Sequence, residues 1–369
     1  MLFQIKYRGL LCLSLAMMLT ISVAASLEGQ KVELQDLERL GRQAIESGNY
    51  GEAKRDFRLA LERAEVEEVS DTQMVDALGS LGEALRSIGE YDESERLFNR
   101  ALQILRSSST VDGQHLPSIL TDLGRLYQET GRYMLSESFL KEALQLTQRD
   151  LGPQHPQMVR VLNGLGVLCT SMNKRKQAET DFKKAISIAE NSGYEAADLA
   201  PVLGDMALFY EHQQKWRLAE PLLIRALRIA ERFFGAAHPE TAAILTALGF
   251  LYYRQGKLVE SERILRRSLD IRRKIFGPTH SSVALTSLII AGVLTAKGQY
   301  EEAKLLYADS LQAEEQNFGP RSPEVATTLE EFAMLLHKIN NHEEAFAMEA
   351  RAKSILVEIE YVVRPAQKR

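Results

Sequence analysis

Histidine is the residue whose spacing here first suggests chemistry. GAAHP at 235–239 sets His238 three residues after Gly235, while GPQHP at 152–156 and GPTHS at 277–281 hold His155 and His280 in the same frame. An imidazole titrates near neutrality and is a common metal ligand, so such a set could mark a metal or acid–base site. GPRSP at 319–323 keeps the frame and loses the histidine. A motif that recurs along the chain with its reactive residue replaceable marks a structural boundary, and a histidine before proline suits a first helical turn, where the missing N–H costs nothing.

The other chemical signals are incomplete. GLGVLC at 164–169 starts like a phosphate-cradling loop but lacks the third glycine and a preceding strand. HEEAF at 342–346 has Phe346 where a zinc-protease helix needs its second histidine. No Gly-x-Ser-x-Gly elbow, Cys-x-x-Cys pair or calcium-loop pattern occurs. The basic run RILRRSLDIRRKIFG, with Arg263, Arg266, Arg267, Arg272, Arg273 and Lys274, is interleaved with Glu260, Glu262 and Asp270 and reads as the solvated face of a helix. The chain is therefore read as non-enzymatic, with no catalytic, metal or cofactor site.

These fragments are placed by a repeat. Small residues stand at Gly41, Gly82, Gly124, Gly166, Ala207, Gly249, Ala291 and Ala333, at intervals of 41 or 42 residues. Seven residues after each comes a turn position, Gly48, Gly89, Gly131, Asn173, Gln214, Gly256, Gly298 and Asn340. All but Gln214 are Gly or Asn, the residues that accept a left-handed helix end. Apolar residues recur at helical spacing on both sides of the turn, as in Leu78, Leu81 and Leu85 before it and Ser94, Leu97, Phe98, Ala101 and Leu102 after it. Each unit is thus an amphipathic helical hairpin that needs its neighbours to cover its apolar stripe, and the units should form one continuous solenoid.

The pattern Gly131, Tyr133, Ser136, Leu140 and Ala143 resembles the tetratricopeptide repeat, and residues 33–360 follow it. The unit HPETAAILTALGFLYYRQGKLVESERILRRSLDIRRKIFG is similar to the longer version found in kinesin light chains and their bacterial relatives. The resemblance implies an all-α, right-handed solenoid of about eight helix-turn-helix units. Glu349 and Lys353 replace bulky apolar residues in the last unit, so its final helix should turn a polar face to water as a cap. The polar connectors at 66–73 and 107–114 lack the Gly-x-x-His-Pro form and are where a hinge would be sought.

Residues 1–25 differ from the rest. Lys6 and Arg8 precede an uncharged apolar run that ends in small residues, the pattern of a secretory signal peptide, or of an N-terminal anchor if uncleaved. Residues 361–369 read as a short basic tail. Without Lys6 and Arg8 the chain carries 43 basic against 50 acidic residues with both signs interspersed, which argues against nucleic acid as a partner. Cys169 is then the one cysteine left, so no intramolecular disulfide can form. An exported chain, periplasmic or extracellular, or membrane-held through its N-terminus, is expected.

The resemblance implies a peptide-binding concave groove lined by first helices, and register carries it to Thr121, Arg125 and Gln128 in the third unit, Arg160, Asn163 and Thr170 in the fourth, and Thr246, Phe250 and Tyr253 in the sixth. These residue types suit an extended peptide, because Asn163 can donate and accept, Arg125 and Arg160 can clamp a carboxylate, and Phe250 and Tyr253 offer an apolar surface. The expected function is a protein–protein interaction scaffold. The alternative is a structural or assembly component of a membrane-associated envelope complex.

Overall fold

Eight helical hairpins follow one another at the spacing of the small residues. The computed structural model describes residues 33–46, 49–108, 114–191 and 199–366, and the described residues form sixteen helices and no strand. Unit 1 pairs α1 (Leu34–Glu46) with α2 (Tyr50–Val66), unit 2 α3 (Asp71–Ser87) with α4 (Tyr91–Ser107), unit 3 α5 (His115–Glu129) with α6 (Tyr133–Leu146), and unit 4 α7 (Gln157–Ser171) with α8 (Arg175–Asn191). Unit 5 pairs α9 (Leu199–His212) with α10 (Trp216–Phe233), unit 6 α11 (Pro239–Arg254) with α12 (Leu258–Phe276), unit 7 α13 (Ser281–Lys297) with α14 (Tyr300–Phe318), and unit 8 α15 (Pro323–Lys338) with α16 (His342–Ala366). The leader at 1–25 and the turn residue Gly48 lie outside the described residues, as do 109–113 of the second polar connector and 367–369 of the tail, while 361–366 continue α16.

Within each unit the small residue of the first helix receives a bulky side chain from the second. A Cβ built on Gly82 would stand 2.8 Å from the Phe98 ring, and one on Gly166 2.7 Å from Phe182, distances no real packing allows. Leu140, Leu223, Leu265 and Tyr307 occupy the same place in other units and are buried. Glu349 occupies it in unit 8, exposed, with its carboxylate accepting from His337 Nε2 at 3.0 Å. Unit 8 therefore ends the apolar stack with a polar face, as a terminal cap should. Four residues before this bulky position, Ala or Ser is fully buried in every unit, from Ala53 and Ser94 to Ala303 and Ala345, which lets the two helices approach closely.

Turn geometry explains the punctuation. Gly89, Gly131, Gly256 and Gly298 have φ between 71° and 83°, and Asn173, Asn340 and Gln214 adopt φ of 57°, 60° and 58°. The fold thus imposes the left-handed turn even on Gln214, whose Cβ makes that conformation costly. In the connectors His238 and His280 act as N-caps, and His155, one residue ahead of the cap position, makes the same kind of bond. His155, His238 and His280 accept the backbone N–H two residues on through Nδ1, at 3.2, 3.1 and 3.1 Å, and Ser322 Oγ accepts from Val325 N at 3.3 Å. His238 and His280 also stack on Phe234 and Phe276, with ring centroids 4.8 and 4.4 Å apart. The polar connector at 66–73 does the same job differently. Glu68 takes the left-handed conformation, and Ser70 with Gln73 forms a reciprocal capping box.

The outer face is stitched by ion pairs between successive second helices, among them Arg58 with Glu93 at 2.5 Å, Arg225 with Glu190 at 2.7 Å and Arg351 with Glu315 at 2.5 Å. Each is worth little alone because both partners are solvated. Within the basic run, Arg266 pairs with Glu262 and Glu302, both at 2.8 Å, Arg267 with Glu231 at 2.7 Å, and Arg272 is buried with Nη1 donating to Ser282 O.

Candidate functional site

Three positions of each first helix point toward the inside of the curve: six before, two before and one after the small residue. Units 2 to 4 show how these meet. Arg160, six before Gly166, donates through Nη2 to Asp122 Oδ1 at 2.8 Å and lies 3.6 Å from Glu83 Oε2. Asp122 stands two before Gly124 and Glu83 one after Gly82, so three successive units contribute one residue each to a diagonal.

That diagonal belongs to a larger charged network. Arg86 is 8% exposed and bridges Glu83, at 3.2 Å, and Glu129. Burial alone would raise the Glu83 carboxyl, but Arg86, Arg160 and Arg125 together hold it down at about 2. Asp122 lies deeper, and its burial, only partly offset by Arg160, raises it. In unit 5, Asp205 accepts from Asn163 Nδ2 at 2.8 Å and is pushed up to about 6 by burial. Beside the network opens a cleft of about 350 Å³ whose walls include Arg42, Ile45, Asp76, His115 and Ser118.

The network is closed over by unit 1. Tyr50 at the start of α2 stacks on Phe276 at the end of α12, with centroids 5.9 Å apart and planes 6° from parallel. His238, whose Nδ1 is the cap acceptor, turns Nε2 toward the Ile45 carbonyl at 3.3 Å. With Nδ1 accepting, the proton sits on Nε2, which therefore donates. The array thus curves until its first hairpin meets its sixth. Burial, then Glu240 and Glu83, push the Tyr50 hydroxyl well up, consistent with a ring enclosed against acidic neighbours.

Against this geometry the nine groove residues separate. Thr121 and Thr246 do not line the groove: Thr121 is fully buried and its hydroxyl donates to Pro117 O at 2.6 Å, while Thr246 lies within 2.8 Å of Ser268 Oγ. They stand three before the small residue, and one residue of helix rotates a side chain by about 100°, from the open face into the seam between units. Asn163 shares that offset and is spent on Asp205. Gln128 donates to Gly164 O at 2.5 Å and Thr170 to Gly166 O at 2.8 Å. Arg160 is the centre of the diagonal, and Arg125 sits half-buried among Glu83, Asp122 and Asp205 with no ion pair of its own among the described residues. Phe250 and Tyr253 do come together, half-buried and tilted at 6.5 Å.

Beyond unit 5 the same register changes character. Unit 6 places Ala243, Ala247 and Phe250 on the inner face, and unit 7 Leu285, Ile289 and Gly292. Leu285 is 50% exposed, Met334 in unit 8 is 58% and Leu208 in unit 5 is 38%. Glu83, Asp122, Asp205, Leu285, Glu331 and Met334 were all readable from the offsets six before, two before and one after the small residue.

A family model described as tetratricopeptide repeat matches residues 35–107, 116–191, 198–274, 243–316 and 282–356. No curated protein matches the chain. Among solved structures, the nearly identical TPR-like repeats of a Podosopora anserina kinesin light chain are 18% identical at TM-score 0.47, covering 56% of this chain and 98% of that one. Pseudomonas aeruginosa pilF is 19% identical at TM-score 0.47, over 69% and 99% of the two chains. BtubC (BKLC) from P. vanneervenii is 17% identical at TM-score 0.34, over 76% and 91%. At those levels no residue role passes from them to this chain. The repeat period, the sixteen paired helices and the matched family model agree: the chain belongs to the tetratricopeptide repeat family.

Proposed function

We propose that the protein is an exported, non-enzymatic scaffold that binds a segment of a partner protein along the inner face of its repeat array. The observation that carries this is the exposure of Leu208, Leu285 and Met334 on the same face where, in units 2 to 4, Glu83, Asp122 and Arg160 are taken up by one another. Apolar side chains left open in a concave trough gain from association, since covering them removes apolar surface from water. Export rests on Lys6, Arg8 and the apolar run that follows.

Photo-crosslinking tests the placement. A photoreactive residue at position 285 should yield a discrete crosslinked partner from native extracts, and the same residue at 259, on the outer face, should not. Equal yields from both would remove the inner-face reading. The second reading, a structural component of a membrane-associated envelope complex, draws on the same apolar run at the N-terminus. Among the described residues no helix is long and apolar enough to cross a membrane, so that reading needs the N-terminal segment retained. N-terminal sequencing separates the two: a mature chain beginning between Ala25 and Leu27 leaves no anchor.

A further inference from the structure

The trough of units 6 to 8 contains a carboxylate that no described residue neutralises. Glu331, two before Ala333, is half-buried and makes no hydrogen bond or ion pair among the described residues. Burial pushes its carboxyl up, with no cation to oppose it. Its charge reaches two tyrosines: after burial, Glu331 is the next influence raising both Tyr253 and Tyr307. Between Tyr253 and Glu331 the register places Gly292, where a Cβ would stand 3.3 Å from the Tyr253 hydroxyl. The missing side chain lets the Tyr253 hydroxyl pack against the backbone of α13, within electrostatic reach of the Glu331 carboxylate.

Charge complementarity then selects the occupant. At the three inner positions of units 6, 7 and 8 there is no lysine or arginine, whereas units 1, 3 and 4 place Arg39, Arg42, Arg125 and Arg160 there. In the first half of the array Glu83 and Asp122 meet Arg160 of the fourth unit, whereas Glu331 meets no cation among the described residues, so its cation must come from outside. A partly buried carboxylate without a partner is costly, and a charge-assisted hydrogen bond from an incoming cation relieves that cost. We infer that the trough receives an apolar segment of a partner protein, a stretch of aliphatic or aromatic side chains lying against Phe250, Leu285 and Met334, with one lysine or arginine reaching Glu331. This rests on the scaffold reading and adds the partner's chemistry and its place.

The test is selection of random peptides displayed on phage against the full chain, followed by fluorescence anisotropy with the enriched sequences. Enriched peptides combine apolar residues with a lysine or arginine and bind saturably. Glu331→Gln, which keeps shape and removes charge, weakens them about tenfold, as expected when a charge-assisted pair becomes an ordinary hydrogen bond. Leu285→Asp with Met334→Asp abolishes binding. Both substituted side chains are exposed, so far-UV circular dichroism and melting should not change, and a variant that still melts like the parent keeps the result interpretable. Enrichment of acidic peptides overturns the inference. So does unchanged binding to the Leu285→Asp/Met334→Asp variant, which leaves the scaffold reading standing with a different surface. Concentration-dependent self-association that this variant loses would assign the trough to a second copy instead. Failure to enrich any saturable peptide, together with no crosslinked partner from position 285, overturns both.

Discussion

Units 1 to 5 and units 6 to 8 share a period, a packing scheme and a turn, yet their inner faces are opposites. In the first region Glu83, Asp122 and Asp205 meet Arg86, Arg160 and Asn163, and unit 1 folds back over them through Tyr50. In the second, apolar residues stay open and Glu331 stays unpaired. Packing in a repeat array is set by the small residue, its bulky partner and the Ala or Ser between them, which leaves the inward positions free to vary without loss of fold. One region has used that freedom to satisfy itself, and the other has left its requirements unmet.

The largest test of this contrast is Arg86→Leu. It strands Glu83 and Glu129 around a site where the arginine is 8% exposed, and should cost about 3 kcal/mol in chemical denaturation, as when one partner is removed from a buried ion pair. Leu285→Asp, on the open face, should change stability by less than about 0.5 kcal/mol. Similar costs for the two would mean that the faces are not energetically distinct. Because an array can unfold from its ends, hydrogen exchange resolved by helix is the better readout than a single midpoint.

A second uncompensated carboxylate sharpens the same point. Glu314 in α14 is 5% exposed, its Oε2 has no partner, and burial pushes it from 4.5 up to about 7. The folded state therefore keeps a proton that the unfolded chain gives up near its ordinary value. Stability from this group grows as pH falls through about 7 and is lacking above it. Glu314→Gln should stabilise α14 and α15 at pH 8 by on the order of 2 kcal/mol, with the gain disappearing near pH 5. A gain that is the same at both pH values would show that the Glu314 carboxyl titrates alike in the folded and unfolded chain.

How much of this could be read from the sequence follows from what each feature depends on. The hairpins, the left-handed turns and the polar cap at Glu349 depend on residues within one unit or the next, and periodicity exposes them. The inner faces were legible too, but only at the right offset: Arg125, Arg160 and Phe250 lie on it, whereas Thr121 and Thr246, chosen three before the small residue, turn into the seam. The meeting of Tyr50 with Phe276 was not legible. It depends on rotation accumulated over five units, and a small error in each step moves the first hairpin far from the sixth. Nor did the sequence reveal that the GAAHP histidine is a cap. Spacing argued against a shared metal and put the residue at a helix start, but which ring nitrogen accepts depends on local geometry.

His238 joins the two regions, since one ring nitrogen caps α11 and the other reaches unit 1. Burial lowers its pKa below 6.5, with the Ile45 carbonyl and Glu240 opposing. The unfolded chain therefore takes up the proton first as pH falls below about 6.5, and stability that is full above this pH is lost on the way down to the folded value, the reverse of Glu314. His238→Asn keeps a capping side chain but is too short to reach Ile45. Exchange protection of α1 should then fall by about 1 kcal/mol at pH 7.5, and α11 should lose its acid sensitivity. If α1 is unaffected, the contact between the first and sixth units contributes nothing to the closed region.

The smallest expected effect is at the joint between the two faces. Unit 5 carries both Asp205 and the exposed Leu208, and its turn residue Gln214 is the one non-Gly, non-Asn side chain among the described turn positions, at φ 58°. A side chain with a Cβ resists that conformation by about 1 kcal/mol, while glycine adopts it freely and loses part of the gain through the larger entropy of its unfolded chain. Gln214→Gly should therefore raise stability by roughly 0.5 kcal/mol and slow exchange at the ends of α9 and α10. Gly256→Gln at the equivalent turn of unit 6 should do the opposite by a similar amount. If both changes are destabilising, Gln214 holds the two regions together through its side chain, and the joint is more than a turn.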